Sequence, residues 1–304
     1  MTLEAYTNQV MSSIKVRLGE AYDVRSQIVR KNNGIELTGI SIHQEGEKAA
    51  PVFYLNEYMD REPLCEEAAE ITAQEITNKY MTYGTVPEII KEMESDFYEF
   101  NKIKDKVRFK LINTKNNEAL LKQIPSIPYM DLSIVFYLYM EEDNGGMMVA
   151  QIQKGHLDLW EVDVQVLYKV ALQNMQRVMP AEIKSINEII HNLRCTYGEE
   201  IEEDGKEPPF YVLSTVSGIN GAACMLYPGM IANFAEQRGK DIIILPSSVH
   251  EVLLLEDTGE MDFVALMKLV KYINGTEVPM EDVLSENIYR YELNALLFCL
   301  LNHL

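Results

Sequence analysis

Residues 22–44 set the tightest limit on what this chain can fold into. YDVRSQIVRK and IELTGISIH both alternate apolar and polar side chains, and Asn32-Asn33-Gly34 joins them. Alternation sends one face of each segment toward a core and the other toward water, while Asn and Gly accept the positive φ angles of a tight reversal. The stretch therefore predicts a β-hairpin and an antiparallel sheet. PVFYLNEYM (51–59) follows as a third extended segment. Ahead of the hairpin, Thr2 can cap a helix with apolar positions at Leu3, Tyr6, Val10, Ile14 and Leu18, closed by Gly19. CEEAAEITAQEITNKYM and VPEIIKEMESDFYEF read as two amphipathic helices broken at Gly84. This order is α+β rather than repeated βαβ.

The hairpin signal recurs downstream. RFKLI (108–112) reads as a strand and NNEALLKQI as a short helix stopped by Pro125. Pro125 and Pro128 mark a boundary, giving an expected N-terminal unit of residues 1–125 and a second unit of 126–304. Three strand pairs follow: DLSIVFYLYM with MMVAQI, FYVLSTV with AACMLY across SGING, and DIIIL with HEVLLLE. Helices are expected at 163–178, at 181–194 behind Pro180, at 228–238, through MDFVALMKLVKYI, and in the C-terminal YRYELNALLFCLL. EEIEEDGKEPP (199–209) reads as a solvated connector inside the second unit. The expected class is α+β: antiparallel sheets built from hairpins, helices packed on them, and two sub-domains.

Charge narrows the partners. The 304 residues carry 47 acidic against 27 basic side chains, a formal net charge of −20. Such a surface repels phosphates, which disfavours nucleic acid and anionic lipid. The one counter-signal is Lys102, Lys104, Lys106, Arg108 and Lys110, whose i, i+2 spacing would align them on one face of an extended strand. A solvated strand is the plain reading of that row, and an anion-binding ridge the functional one. No apolar run approaches the roughly 18–20 residues of a membrane-spanning helix, and LNALLFCLLNHL reads as a buried or docking helix. The N-terminus lacks a signal-peptide layout, so the expected location is the cytoplasm, with no membrane association. Cys65, Cys195, Cys224 and Cys299 are scattered without C-x-x-C spacing, which predicts buried reduced thiols and no metal site.

For chemistry, LPSSVHEVLLL (245–255) is the place to look. Ser247, Ser248, His250 and Glu251 supply nucleophile, base and orienting acid by residue type. No G-x-S-x-G elbow presents either serine, and Leu254 stands where H-E-x-x-H would need a histidine. Pro-Ser-Ser is ordinary turn chemistry. SGINGAA (217–223) lacks the lysine of a phosphate loop and reads as a turn, so no cofactor is expected. The histidines at 43, 156, 191, 250 and 303 contain no i, i+4 pair. Phe136, Tyr137 and Tyr139 read as a strand with one core face and one half-exposed tyrosine face.

VLYKVALQNMQRVMP, YVLSTVSGINGAACMLYPGM and DIIILPSSVHEVLLLED, in this order behind an N-terminal αββ region, resemble a bacterial domain-of-unknown-function family of anaerobic gut bacteria. The helix carrying A-L-x-N and the P-S-x-x-x-x-V-L strand are more distantly similar to another uncharacterised bacterial family. Neither resemblance implies an activity or a site residue. The expectation is a non-enzymatic protein that binds another protein or regulates one. The alternatives are a hydrolase using His250 with Ser247 or Ser248, and a small-ligand sensor.

Overall fold

The computed structural model describes residues 1–44, 50–59, 64–83, 96–141, 147–189, 210–295 and 297–301. The chain divides into two compact units, Met1–Tyr98 and Glu99–Leu304. Among the described residues, no helix is long and apolar enough to cross a membrane.

The first unit sets two helices on a three-stranded antiparallel sheet. β1 (Tyr22–Arg30) pairs with β2 (Glu36–Gln44) along its full length, from Tyr22↔Gln44 to Arg30↔Glu36. Asn33 at φ 57° and Gly34 at φ 72° make the reversal that the Asn-Asn-Gly sequence predicts. β3 (Val52–Tyr54) adds to the free edge of β2. It is shorter than expected, because Leu55 N–H bonds Thr38 O, Asn56 Oδ1 takes Thr38 N–H, and Asn56–Met59 turns into helix. α1 (Leu3–Leu18) is capped by Thr2, whose hydroxyl accepts from Ala5 N–H at 3.2 Å. Tyr6, Val10 and Ile14 of α1 meet Ala69, Ala73 and Ile76 of α2 (Glu66–Tyr83), with Ile40 and Ile42 of the sheet completing the core. Small alanines let the two helices approach. Tyr6 keeps its hydroxyl satisfied there through a 2.7 Å bond to Thr72 Oγ1.

The second unit is built on two antiparallel sheets. In the smaller one, β6 (Leu132–Glu141) pairs with β4 (Val107–Asn113) on one side. On its other side β6 takes β5 (Ser126–Tyr129) and β7 (Met147–Gln151) in succession. α3 (Val164–Val178), capped by Asp163, lies along β4 and donates Asn174 Nδ2 to the carbonyls of Lys104 and Val107. The larger sheet runs β13-β12-β10-β11-β9-β8, every pair antiparallel. Its strands are β8 (Ala181–Ser185), β9 (Tyr211–Thr215), β10 (Ile242–Leu245), β11 (Glu251–Glu256), β12 (Ile288–Glu292) and β13 (Leu297–Leu301). α4 (Met230–Arg238) precedes β10 and ends at Gly239 in the left-handed region. α5 (Phe263–Thr276) packs onto Ile243, Leu245, Leu255 and Ile288. β10 is buried at every position, which is why its sequence is continuously apolar instead of alternating.

Four segments depart from the sequence expectations. Ala181–Ser185 is a strand, not the start of a helix, because Pro180 O accepts Val216 N–H and draws the segment alongside β9. Residues 186–189 of that expected helix are helical, while 190–194 lie outside the described residues, as do 199–209 and most of the helix expected at 86–100. Gly221–Leu226 is a 3-10 helix, not a strand, since both edges of β9 are already occupied by β8 and β11. The C-terminal apolar segment is the β12–β13 hairpin, not a helix. Finally, the basic row is not one strand face: Phe100–Ile103 is helical, Lys104–Lys106 is 3-10, and Arg108 is buried. Tyr137 is buried as well, and Cys65 is an exposed thiol rather than a buried one.

The two sheets of the second unit are joined by polar contacts around Asp131. Its carboxylate accepts from Ser285 Oγ at 2.6 Å, Asn287 Nδ2 at 2.8 Å and Tyr289 Oη at 2.6 Å. Burial, then the adjacent Asp131 charge, pushes the Tyr289 hydroxyl far above its ordinary range. Asp131→Ala is expected to cost about 3 kcal/mol, the loss of charge-assisted bonds plus a stranded buried phenol. Urea unfolding checks this, and Tyr289→Phe in the Asp131→Ala background should recover part of the loss, because it removes the stranded hydroxyl.

Candidate functional site

The segment Pro246–His250 leaves β10 and enters β11. Its proline ends strand pairing with β11, yet the backbone does not run free. Ser285 N–H donates to Pro246 O at 2.8 Å, Leu284 N–H to Ser247 O at 2.9 Å, and Val249 N–H to Asp282 O at 2.8 Å. Ser248 bridges Val283 in antiparallel fashion. The segment is thus clamped against residues 282–285, and Ser247 and Ser248 are both buried.

That clamp decides what each candidate side chain does. Ser248 Oγ accepts from the His250 backbone N–H at 3.0 Å, closing a local turn. The His250 carbonyl accepts from Ser214 Oγ at 2.7 Å. The imidazole lies between two other partners. Nδ1 accepts from the Asn220 backbone N–H at 3.3 Å, and Nε2 lies 3.3 Å from Asp282 Oδ1. An acceptor at Nδ1 places the proton on Nε2, where it points at the carboxylate. Neither serine hydroxyl bonds the ring, and Glu251 sits in the ladder opposite Ser214. The structure therefore brings His250 to an acid, but that acid is Asp282. The pair is partly open to water, with 37% and 26% of the side-chain surfaces exposed, so water competes for this hydrogen bond.

Asn220 extends the cluster toward the smaller sheet. It takes φ 51° at the head of the 3-10 turn, and its Nδ2 donates to Tyr137 Oη at 3.1 Å. One residue on, Gly221 is pressed against β9 and the segment carrying His250: a Cβ there would stand 2.1 Å from Ser214 Oγ and 2.3 Å from His250 O. Only glycine permits this approach. Behind it, burial pushes the Cys224 thiol up to about 12, and it also pushes up the Tyr227 hydroxyl, which donates to Met179 O at 2.9 Å. Such a thiol is protonated at neutral pH and a poor nucleophile. Among the described residues, no group of three His, Cys, Asp or Glu side chains is arranged to hold a metal ion.

Sequence reasoning singled out His250 and missed both of its ring partners. Asp282 and Asn220 lie 32 and 30 residues away, and no local spacing signals them. The Asn-Gly pair at 220–221 was legible as a turn, and its close approach to His250 was not.

The chain belongs to a family of unknown function, DUF5688, whose model matches residues 3–293. No curated protein and no solved structure matches it.

Two measurements follow from this packing. Gly221→Ala is expected to destabilise the protein by about 3 kcal/mol through overpacking, whereas Gly155→Ala, where an added Cβ meets nothing, should be neutral or slightly stabilising. Chemical denaturation distinguishes them. Burial also raises the Tyr129 hydroxyl to about 12. The unfolded chain releases the Tyr129 proton from about pH 10 while the folded chain holds it, so the contribution of Tyr129 is flat below that pH and stability is lost through it as pH rises toward 12. Unfolding free energies measured from pH 8 to 11.5 should trace that decline, shallower in Tyr129→Phe.

Proposed function

We propose that this DUF5688 member is a non-enzymatic cytoplasmic protein that acts by binding another protein. One observation carries the reading: both ring nitrogens of His250 are engaged, Nδ1 by a backbone N–H and Nε2 by Asp282. A general base needs a ring lone pair facing the hydroxyl it activates. Here that lone pair is spent on the Asn220 amide, and Ser248 Oγ is bonded to the His250 backbone N–H. The cluster holds the segment before β11 against residues 282–285, which is a structural task.

The surface assigned to the partner is the outward face of α5. Its inward face supplies Phe263, Leu266, Met267 and Val270 to the core. Its outward face still carries Val264, Leu269 and Tyr272, with 45%, 42% and 65% of their surfaces exposed. Large apolar side chains gathered on one exposed helical face mark interaction surfaces. Lys268 and Lys271 flank them in an otherwise acidic chain, which favours a partner with acidic groups around its own apolar contact.

Affinity capture with the full chain tests this. A partner retained by the native chain should be lost by the Leu269→Asp/Tyr272→Asp variant at unchanged melting temperature. Turnover of ester, amide or phosphoester substrates that His250→Gln abolishes would overturn the reading, as would capture indifferent to the α5 variant.

A further inference from the structure

Arg108 is the basic residue whose environment the rest of the fold does not explain. Only 6% of it is exposed. Nη1 donates to Asp105 O at 2.7 Å and Val107 O at 2.9 Å, which fixes the plane of the guanidinium. Nε is buried and has no hydrogen-bond partner. Among the described residues, no carboxylate forms an ion pair with the group, although Arg17, Arg25, Arg30 and Arg290 each pair with one. A buried cation without an ion-pair partner is destabilising, because its lost hydration is not replaced. That cost is unusual in a chain with 20 excess negative charges.

The surroundings are those of an anion receptor. Arg108 stands directly across the ladder from Tyr137, and its guanidinium carbon lies 5.9 Å from the centre of the Tyr139 ring. Asn220 Nδ2 donates to Tyr137 Oη, so the phenolic proton has no acceptor among the described residues. Burial lowers the Arg108 pKa; the Arg177 charge acts in the same direction and the Asp105 carboxylate in the opposite one. A phenolic O–H without an acceptor and a guanidinium whose Nε has no partner thus stand across one ladder, with no carboxylate bonded to either among the described residues.

We propose that Arg108, with Tyr137, binds the oxyanion group of a small ligand, a carboxylate or a phosphate. With Nη1 tied to the backbone, the Nε/Nη2 edge is left in the fork geometry that takes two oxygens at once. Tyr137 donates a third bond, and the Tyr139 ring supports the guanidinium from its face. The bound anion neutralises the cation that the fold leaves buried. The site is separate from the α5 face, so the two proposals fail independently.

The test is thermal unfolding of the full chain against inorganic phosphate and against acetate, with sodium chloride at equal ionic strength as reference. Saturable stabilisation by one anion is expected, and the anion with the lower half-saturation identifies the ligand class. Arg108→Lys keeps the charge and loses the fork, and should raise that half-saturation by about tenfold or more. Tyr137→Phe should raise it several-fold, and it tests the same site independently if the lysine variant does not fold. No stabilisation beyond chloride by either anion, or a dependence unchanged in these variants, overturns the proposal.

Discussion

Two antiparallel sheets in the second unit meet where Asp131 accepts hydrogen bonds from Ser285, Asn287 and Tyr289, and that junction constrains what lies on either side. Asp131 occupies a two-residue reversal between β5 and β6, where Met130 adopts φ 56°. A left-handed methionine is unfavourable by itself, and it persists because the neighbouring carboxylate is held in place. On the partner side, β12 must present Tyr289 to this carboxylate while Arg290, facing the opposite way, meets Asp241 and Asp257. One strand thus satisfies two acidic networks, one on each face. A register slip of a single residue would exchange a neutral donor for a cation and leave both networks wrong.

Elements whose signal is local were legible in the sequence. The 22–44 hairpin announces itself by alternation plus Asn-Gly, and α3 and α5 were expected from their own residues, at 163–178 and through MDFVALMKLVKYI. Elements set by their neighbours were not. AACMLY has strand-like composition, yet β9 offers no free edge for it. LFCLL is a short apolar run, and periodicity cannot separate a buried strand from a helix over so few residues. Pro180 suits a first helical turn and equally the residue before a strand, so Ala181–Ser185 was decided by pairing with β9.

The candidate site divides along the same line. Residue types at 247–251 offered a catalytic set beside a plain turn reading, and in the structure the backbone of this segment is hydrogen-bonded to residues 282–285. Arg108 shows the opposite case: within a row of alternating lysines it reads as a solvated charge, although Val107 and Phe109 beside it are wholly buried. Whether a charge at such a position faces water depends on what covers the sheet, which is a long-range property.

The Asp131 junction also has a place in time. Its bonds join residues 154 to 158 apart, and Asn113 reaches Leu284 across 171. Hairpins in the same unit close over a few residues. Chain entropy must therefore be surrendered over nearly the whole unit before these bonds return anything. Each sheet can exist without the junction, but the junction needs both sheets in register, so on any folding route it is the closing event and never the seed.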